Sequence, residues 1–178
     1  MADKIFDAFL QHEHDQAMAL ARASDLLELF PAHPIDGPPD RYLAHFRCTG
    51  LVKQPGGTVT TANDFVVGIS FPSDYLARVN PAAVLTWLQP WSAFHPNIKA
   101  PFVCVGRIVP GTPLVDLLYQ LFELITYTKV TMREDDALNR DACAWARQHA
   151  ETFPVDRRPL KRRVLDPGAV DAVAEVGR

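Results

Sequence analysis

The chain has 178 residues, of which 48% are hydrophobic and 22% charged, with a formal net charge of -3. A single domain with a substantial buried core is the expectation at this size, without disulfides or a structural metal to hold it. The slightly acidic balance gives neither nucleic acid nor a membrane surface an electrostatic reason to be the main partner. The start, Met1-Ala-Asp-Lys-Ile-Phe-Asp7, has no long apolar run of the secretory type, and no window reaches the length of a membrane span. Cys48, Cys104 and Cys143 are widely spaced and form neither a CxxC motif nor a disulfide framework, so a reducing, cytoplasmic compartment is expected.

Residues 3–30 read as helix with room for one break. Ile5, Phe6, Phe9, Leu10, Ala17, Met18 and Ala21 recur at helical spacing; Leu26, Leu27 and Phe30 continue the pattern, and Pro31 stops it. The segment 31–40 holds four prolines and one glycine and is a connection. The period then changes to two, with Tyr42, Ala44, Phe46 and Cys48 alternating with more polar neighbours. Gln54-Pro-Gly-Gly57 is a turn, and Thr58-Val-Thr-Thr61 opens the return strand. A third strand spans Phe65 to Phe71, and a fourth Ala83 to Gln89, between Pro81 and Pro90. Four strands in meander order with short turns imply an antiparallel sheet.

Residues 90–113 carry five prolines and no periodicity, and long irregular stretches of this kind are often functional. Helical spacing resumes at Leu114, Leu117, Leu118, Leu121 and Leu124. A second helix spans roughly Asp135 to Thr152, with Leu138, Ala142, Trp145 and Ala146 on one face and acidic residues in its first turn. From Pro154 the chain is polar and basic, so the division is a domain over 1–153 and a basic, partly flexible extension over 154–178.

Within the irregular stretch, Phe94-His-Pro-Asn97 precedes Cys104 by a few residues. A cysteine there can be reached by a large partner, although free cysteines are more commonly small buried hydrophobes. Taken together, Phe71-Pro-Ser-Asp-Tyr75, His95-Pro-Asn97, Cys104 and Asp135-Asp-Ala-Leu138 resemble the ordered motifs of the ubiquitin-conjugating enzyme family. The resemblance covers roughly residues 3–153 and implies an α+β fold. Its parts are an N-terminal helix, a four-stranded antiparallel meander sheet, an irregular active-site segment and C-terminal helices. The sequence departs from the family pattern in places: the interval from His95 to Cys104 is nine residues, one shorter than usual, Leu76 stands where proline is common, and Val105-Gly-Arg-Ile108 follows the cysteine. The family's tryptophan after that cysteine is missing too. These departures place the chain among divergent, prokaryotic relatives.

The resemblance implies acyl transfer. Cys104 would accept a ubiquitin-like protein as a thioester from an adenylating activating enzyme and pass it to an amine of a target protein. It assigns Asn97 to the oxyanion or the local loop, Asp136 to the incoming amine with Asp135 as its neighbour, and His95 with Pro96 to structural support. No cofactor is implied, and a deconjugating peptidase would complete a set of the kind linked to phage defence. Cys48, in a strand, and Cys143, in a helix, read as structural. His12 and His14, two apart on a helix, make a poor metal pair. Arg157-Arg-Pro-Leu-Lys-Arg-Arg163 reads as a solvated basic face. Three other readings stay open: a non-catalytic module of the same fold that binds a ubiquitin-like protein, a cysteine hydrolase pairing Cys104 with His33, His45 or His149, and a scaffold in which Cys104 is inert.

Overall fold

In the computed structural model, residues 4–32 and 37–162 are described, and they begin with helix α1, Lys4–Arg22. Its buried positions are Leu10, Glu13, Ala17 and Leu20, the spacing of a stripe facing a core. The helix does not run on to Phe30. The Ser24 Oγ accepts the N–H of Leu26 at 3.1 Å, and Leu27–Ala32 forms strand β1 instead. Leu27 and Leu29 point into the core while Phe30 is exposed, a period of two that the helical reading of 26–30 missed.

Strand β2 is Arg41–Phe46, and after it comes a hairpin of β3, Gly50–Lys53, and β4, Val59–Ala62. Strand β5 is Phe65–Ser70. A short helix α2, Pro81–Val84, is capped by the Asn80 side chain on the N–H of Ala82 and leads into β6, Leu85–Gln89. The main sheet is antiparallel, in the order β1-β2-β5-β6, with Phe30 opposite Leu43 and Leu43 opposite Gly68. The expected four-stranded antiparallel sheet is therefore present with different members. Leu27–Ala32 supplies its first strand, the Thr58–Thr61 region belongs to the separate β3–β4 hairpin, and residues 81–84 are helical.

One face of the sheet is covered by α1 and by helix α3, Leu114–Ile125, whose leucines 114, 117, 118, 121 and 124 are all buried. The inward strand residues include Tyr42, Ala44, Phe46, Phe65, Val67, Ile69, Leu85 and Trp87. Removing these apolar side chains from water is the main force that holds the layers together. At Gly50 a Cβ would meet the Phe65 ring at 2.6 Å and the Ile125 carbonyl oxygen at 2.9 Å, so only glycine lets the hairpin leave the sheet here.

Two two-residue strands follow in the proline-rich stretch, β7, Ile98–Lys99, and β8, Phe102–Val103, paired antiparallel. Beyond α3, the expected helix from about 135 to 152 is divided. Glu134–Asp136 is a 3-10 turn, helix α4 is Arg140–Gln148, and Ala150–Thr152 is a second 3-10 turn. The cap is Asn139, whose Oδ1 accepts the N–H of Ala142 at 3.1 Å, so Asp135 and Asp136 precede the helix and Asp141 is the acidic residue of its first turn. The stretch 154–162 packs on the body: Leu160 and Asp156 are buried, and the Val155 N–H donates to the Thr126 carbonyl. Arg162 donates to the carbonyls of Ala23 and Arg22. Residues 163–178, with the Arg163 end of the basic run, lie outside the described residues. Among the described residues, no helix is long and apolar enough to cross a membrane.

Candidate active site

His95 is the anchor of the irregular segment. It is 2% exposed, and its ring makes an edge contact with Tyr127 at 4.4 Å between centroids. Its two nitrogens have fixed roles. Nε2 lies 3.1 Å from the Lys129 carbonyl, to which it donates, and Nδ1 accepts the N–H of Asn97 at 3.0 Å. This is the neutral tautomer with its proton on Nε2, and burial pushes the imidazole pKa down to about 3. A group held uncharged in this way is a structural pin.

The pin orients Asn97. Its backbone carbonyl accepts the N–H of Cys104 at 2.9 Å, and its side-chain Oδ1 accepts the N–H of Thr131 at 3.3 Å. With the carbonyl end of the amide committed to Thr131, the Nδ2 amino group is the end left to donate. Pro96 joins the same network through its carbonyl, which accepts the N–H of Asn139 at the start of α4 at 2.9 Å. Irregular backbone is thus satisfied strand by strand and turn by turn, as buried peptide groups require.

Cys104 is the half-buried one of the three free cysteines; Cys48 and Cys143 are buried. It lies in the wall of a groove of about 210 Å³ formed with Leu85, Phe102, Val103, Ile108 and Leu138. The groove's rim is apolar: Phe102 is 57% exposed and Leu138 38% exposed. Cys48 is a different kind of thiol. Burial, with the nearby Asp156 carboxylate adding to it, pushes its pKa up to about 12, which leaves it protonated and unreactive. The Cys143 Sγ donates to the Thr131 carbonyl at 3.6 Å from inside α4.

Of the residues singled out from sequence, His95, Pro96, Asn97 and Cys104 share this one network. Asp135 and Asp136 stand apart from it on the exposed 3-10 turn that leads to Leu138, and the Asp136 carboxylate pairs with Arg133 at 3.4 Å. Among the described residues, no hydrogen bond joins either carboxylate to Cys104 or Asn97. Of the histidines that a hydrolase would need, His45 and His149 are engaged elsewhere. His45 lies between Asp64 at 3.0 Å and Glu28 at 3.4 Å, and the His149 Nδ1 donates to the Trp145 carbonyl at 2.8 Å. His33 lies outside the described residues. Sequence reasoning missed Tyr127, Lys129 and Thr131, which meet the motif from the end of α3, and it counted Leu138 as a helix-face residue when it lines the groove. Among the described residues, no cluster of histidine, cysteine and carboxylate side chains could hold a metal ion. No protein-family model matches the chain, and no curated protein matches it.

Proposed function

We propose that this protein is a thioester carrier of the ubiquitin-conjugating type, with Cys104 as the residue that holds the cargo. The observation that carries the reading is the bond from the Cys104 N–H to the Asn97 carbonyl, within a loop pinned by a buried neutral histidine. It ties a half-exposed thiol and an amide donor into one network beside an uncharged groove. The resemblance of Phe71–Tyr75, His95–Asn97 and Asp135–Leu138 to the family's motifs points to the same chemistry.

In this reading the Cys104 thiolate attacks the carbonyl carbon of a thioester presented by an adenylating activating enzyme. A new C–S bond forms, the old C–S bond breaks, and the donor cysteine leaves as its thiolate, with no change of oxidation state. A lysine amine of a target then attacks the Cys104 thioester. The C–N bond forms, the amine proton passes to a base, and the Cys104 thiolate is released. Asn97 Nδ2 is the donor for the oxyanion of both tetrahedral intermediates. The carboxylate of Asp136, with Asp135 beside it, orients the amine; its exposed turn runs into Leu138 at the groove rim. The partners are a ubiquitin-like protein, its activating enzyme, a target protein and a deconjugating peptidase, all in a cytoplasm and in the setting of bacterial defence against phage.

Replacing the thiol by a hydroxyl tests the reading. With the cognate ubiquitin-like protein, activating enzyme and ATP, Cys104→Ser should form an adduct that survives DTT and is cleaved by hydroxide, as an oxyester is. Asn97→Ala should slow discharge to free lysine by roughly two orders of magnitude, the usual effect of losing one oxyanion donor. Equal discharge rates in Asn97→Ala and the parent would remove Asn97 from the mechanism.

A further inference from the structure

A closed ring of interactions passes through Cys104, and one residue in it was not foreshadowed by any motif. The Lys129 carbonyl accepts from His95 Nε2 at 3.1 Å, His95 Nδ1 accepts from the Asn97 N–H at 3.0 Å, and the Asn97 carbonyl accepts from the Cys104 N–H at 2.9 Å. The peptide bond from Cys104 to Val105 continues the ring. Lys129 then closes it, because its Nζ donates to the Val105 carbonyl at 2.7 Å. The backbone is therefore held on both sides of the reactive residue, at the Cys104 N–H by the histidine-led motif and at the Val105 carbonyl, one residue on, by this lysine.

The end of α3 is built to deliver that lysine. Thr126 closes the helix, and Tyr127 turns the chain with a φ of 60°, a left-handed conformation that a bulky side chain adopts only when its surroundings impose it. The Tyr127 hydroxyl donates to the Phe94 carbonyl, and its ring contacts both His95 and Phe153. The Lys129 N–H returns to the Glu123 carbonyl at 3.0 Å. On the other side, Gly106 has a φ of +106°, and a Cβ there would sit 3.4 Å from Lys129 Nζ. Turn and glycine together bring the lysine's backbone to His95 and its side chain to Val105.

We infer that Lys129 is a positioning residue for Cys104, a clamp that fixes the Val105 carbonyl one residue past the thiol and thereby sets where Sγ sits in the groove wall. The inference rests on the reading of Cys104 as the working thiol. Its effect is mechanical: with one side of the loop released, the thiol gains freedom that a small reagent can exploit and that an ordered transfer cannot.

Two variants test it, Lys129→Met, which keeps the length of the side chain and removes the donor, and Lys129→Arg, which keeps a donor. In Lys129→Met the Cys104 amide should exchange with deuterium about tenfold faster, and iodoacetamide should alkylate Cys104 about threefold faster, because the released loop no longer half-covers it. Cys48 and Cys143 should stay unmodified, and Lys129→Arg should lie within about twofold of the parent in both assays. In the thioester assay, Lys129→Met should lower kcat for transfer to an amine about tenfold while leaving KM for the amine unchanged, the signature of lost positioning. Exchange and alkylation at Cys104 within twofold of the parent would overturn the clamp. So would a parallel rise at Cys48 and Cys143, which would report general loosening. The first two assays use this protein alone. If the parent forms no thioester, the functional reading falls while exchange and alkylation still decide the clamp.

Discussion

Acid should weaken this fold through His95, and the size of the effect follows from its surroundings. The imidazole is buried, and its Nδ1 faces the N–H of Asn97, a donor; a proton on Nδ1 would set N–H against N–H. Its folded pKa is about 3, against about 6.5 for histidine in an unfolded chain. Between those values the unfolded chain binds the extra proton and the folded chain does not, so stability rises with pH. The loss begins as pH falls through about 6.5 and continues towards about 3. From pH 7 to pH 5 it amounts to about 2 kcal/mol, at about 1.4 kcal/mol per unit once the unfolded histidine is protonated. That is a large share of the roughly 5–15 kcal/mol that holds a domain together. Urea unfolding at pH 7, 6 and 5, on the parent and on His95→Asn, isolates the effect because the other titrating groups are common to both. The variant starts lower but should lose about 2 kcal/mol less over this range. Parallel pH dependence in the two proteins, or an NMR titration of folded His95 with a midpoint near 6.5, would show that the buried imidazole is not the source of the acid sensitivity.

Two further predictions concern buried carboxylates. Glu13, 5% exposed on α1, accepts the N–H of Leu114 at 2.6 Å and so caps α3, whose N-cap position is Pro113 with no side-chain bond. Glu13→Ala leaves that N–H buried without a partner and should cost about 1–3 kcal/mol in urea unfolding, whereas Glu13→Gln, which keeps an acceptor, should recover most of it. Asp156 accepts from the Thr49 N–H at 2.8 Å and from Arg158 at 2.7 Å. Desolvation alone would raise its pKa, but the hydrogen bonds from Arg158 and Thr49 outweigh it and bring the carboxyl to about 2. Its contribution, about 2 kcal/mol, is fully present above about pH 4 and is lost as pH falls through about 2. Asp156→Asn should lower the urea midpoint at pH 7 accordingly, and the gap to the parent should narrow below pH 4.

Much of this architecture could be read from residue patterns, and the misreadings share a cause. Leu27, Leu29 and Phe30 lie close enough together to fit either a helical stripe or an alternating strand. The choice was made by tertiary pairing, Leu27 with Phe46 and Phe30 with Leu43, which no local pattern reports. The Thr58–Thr61 run was recognisable as a strand, but its partner was the nearby β3 rather than the main sheet, because the Pro-Gly-Gly turn closes a local hairpin. Leu138 has a helix-face character in sequence, yet Asn139 after it is the better cap, so the leucine is left outside α4 and finds its apolar contacts in the groove. The grouping of His95, Asn97 and Cys104 was legible because these residues lie close together in one proline-rich stretch, and the structure joins them by short backbone bonds. Lys129 was not, since its bond to Val105 depends on the left-handed turn at Tyr127, a conformation the sequence Thr126-Tyr-Thr-Lys129 does not signal.

The role proposed for Cys104 is to carry an acyl group. The direct measurement is intact mass and a non-reducing gel after mixing this protein with its cognate ubiquitin-like protein, activating enzyme and ATP. The expected result is a DTT-sensitive adduct of one cargo per chain that disappears in Cys104→Ala and persists in Cys48→Ala and Cys143→Ala. An activating enzyme that is itself charged, with no adduct on this protein or one that survives Cys104→Ala, would contradict it.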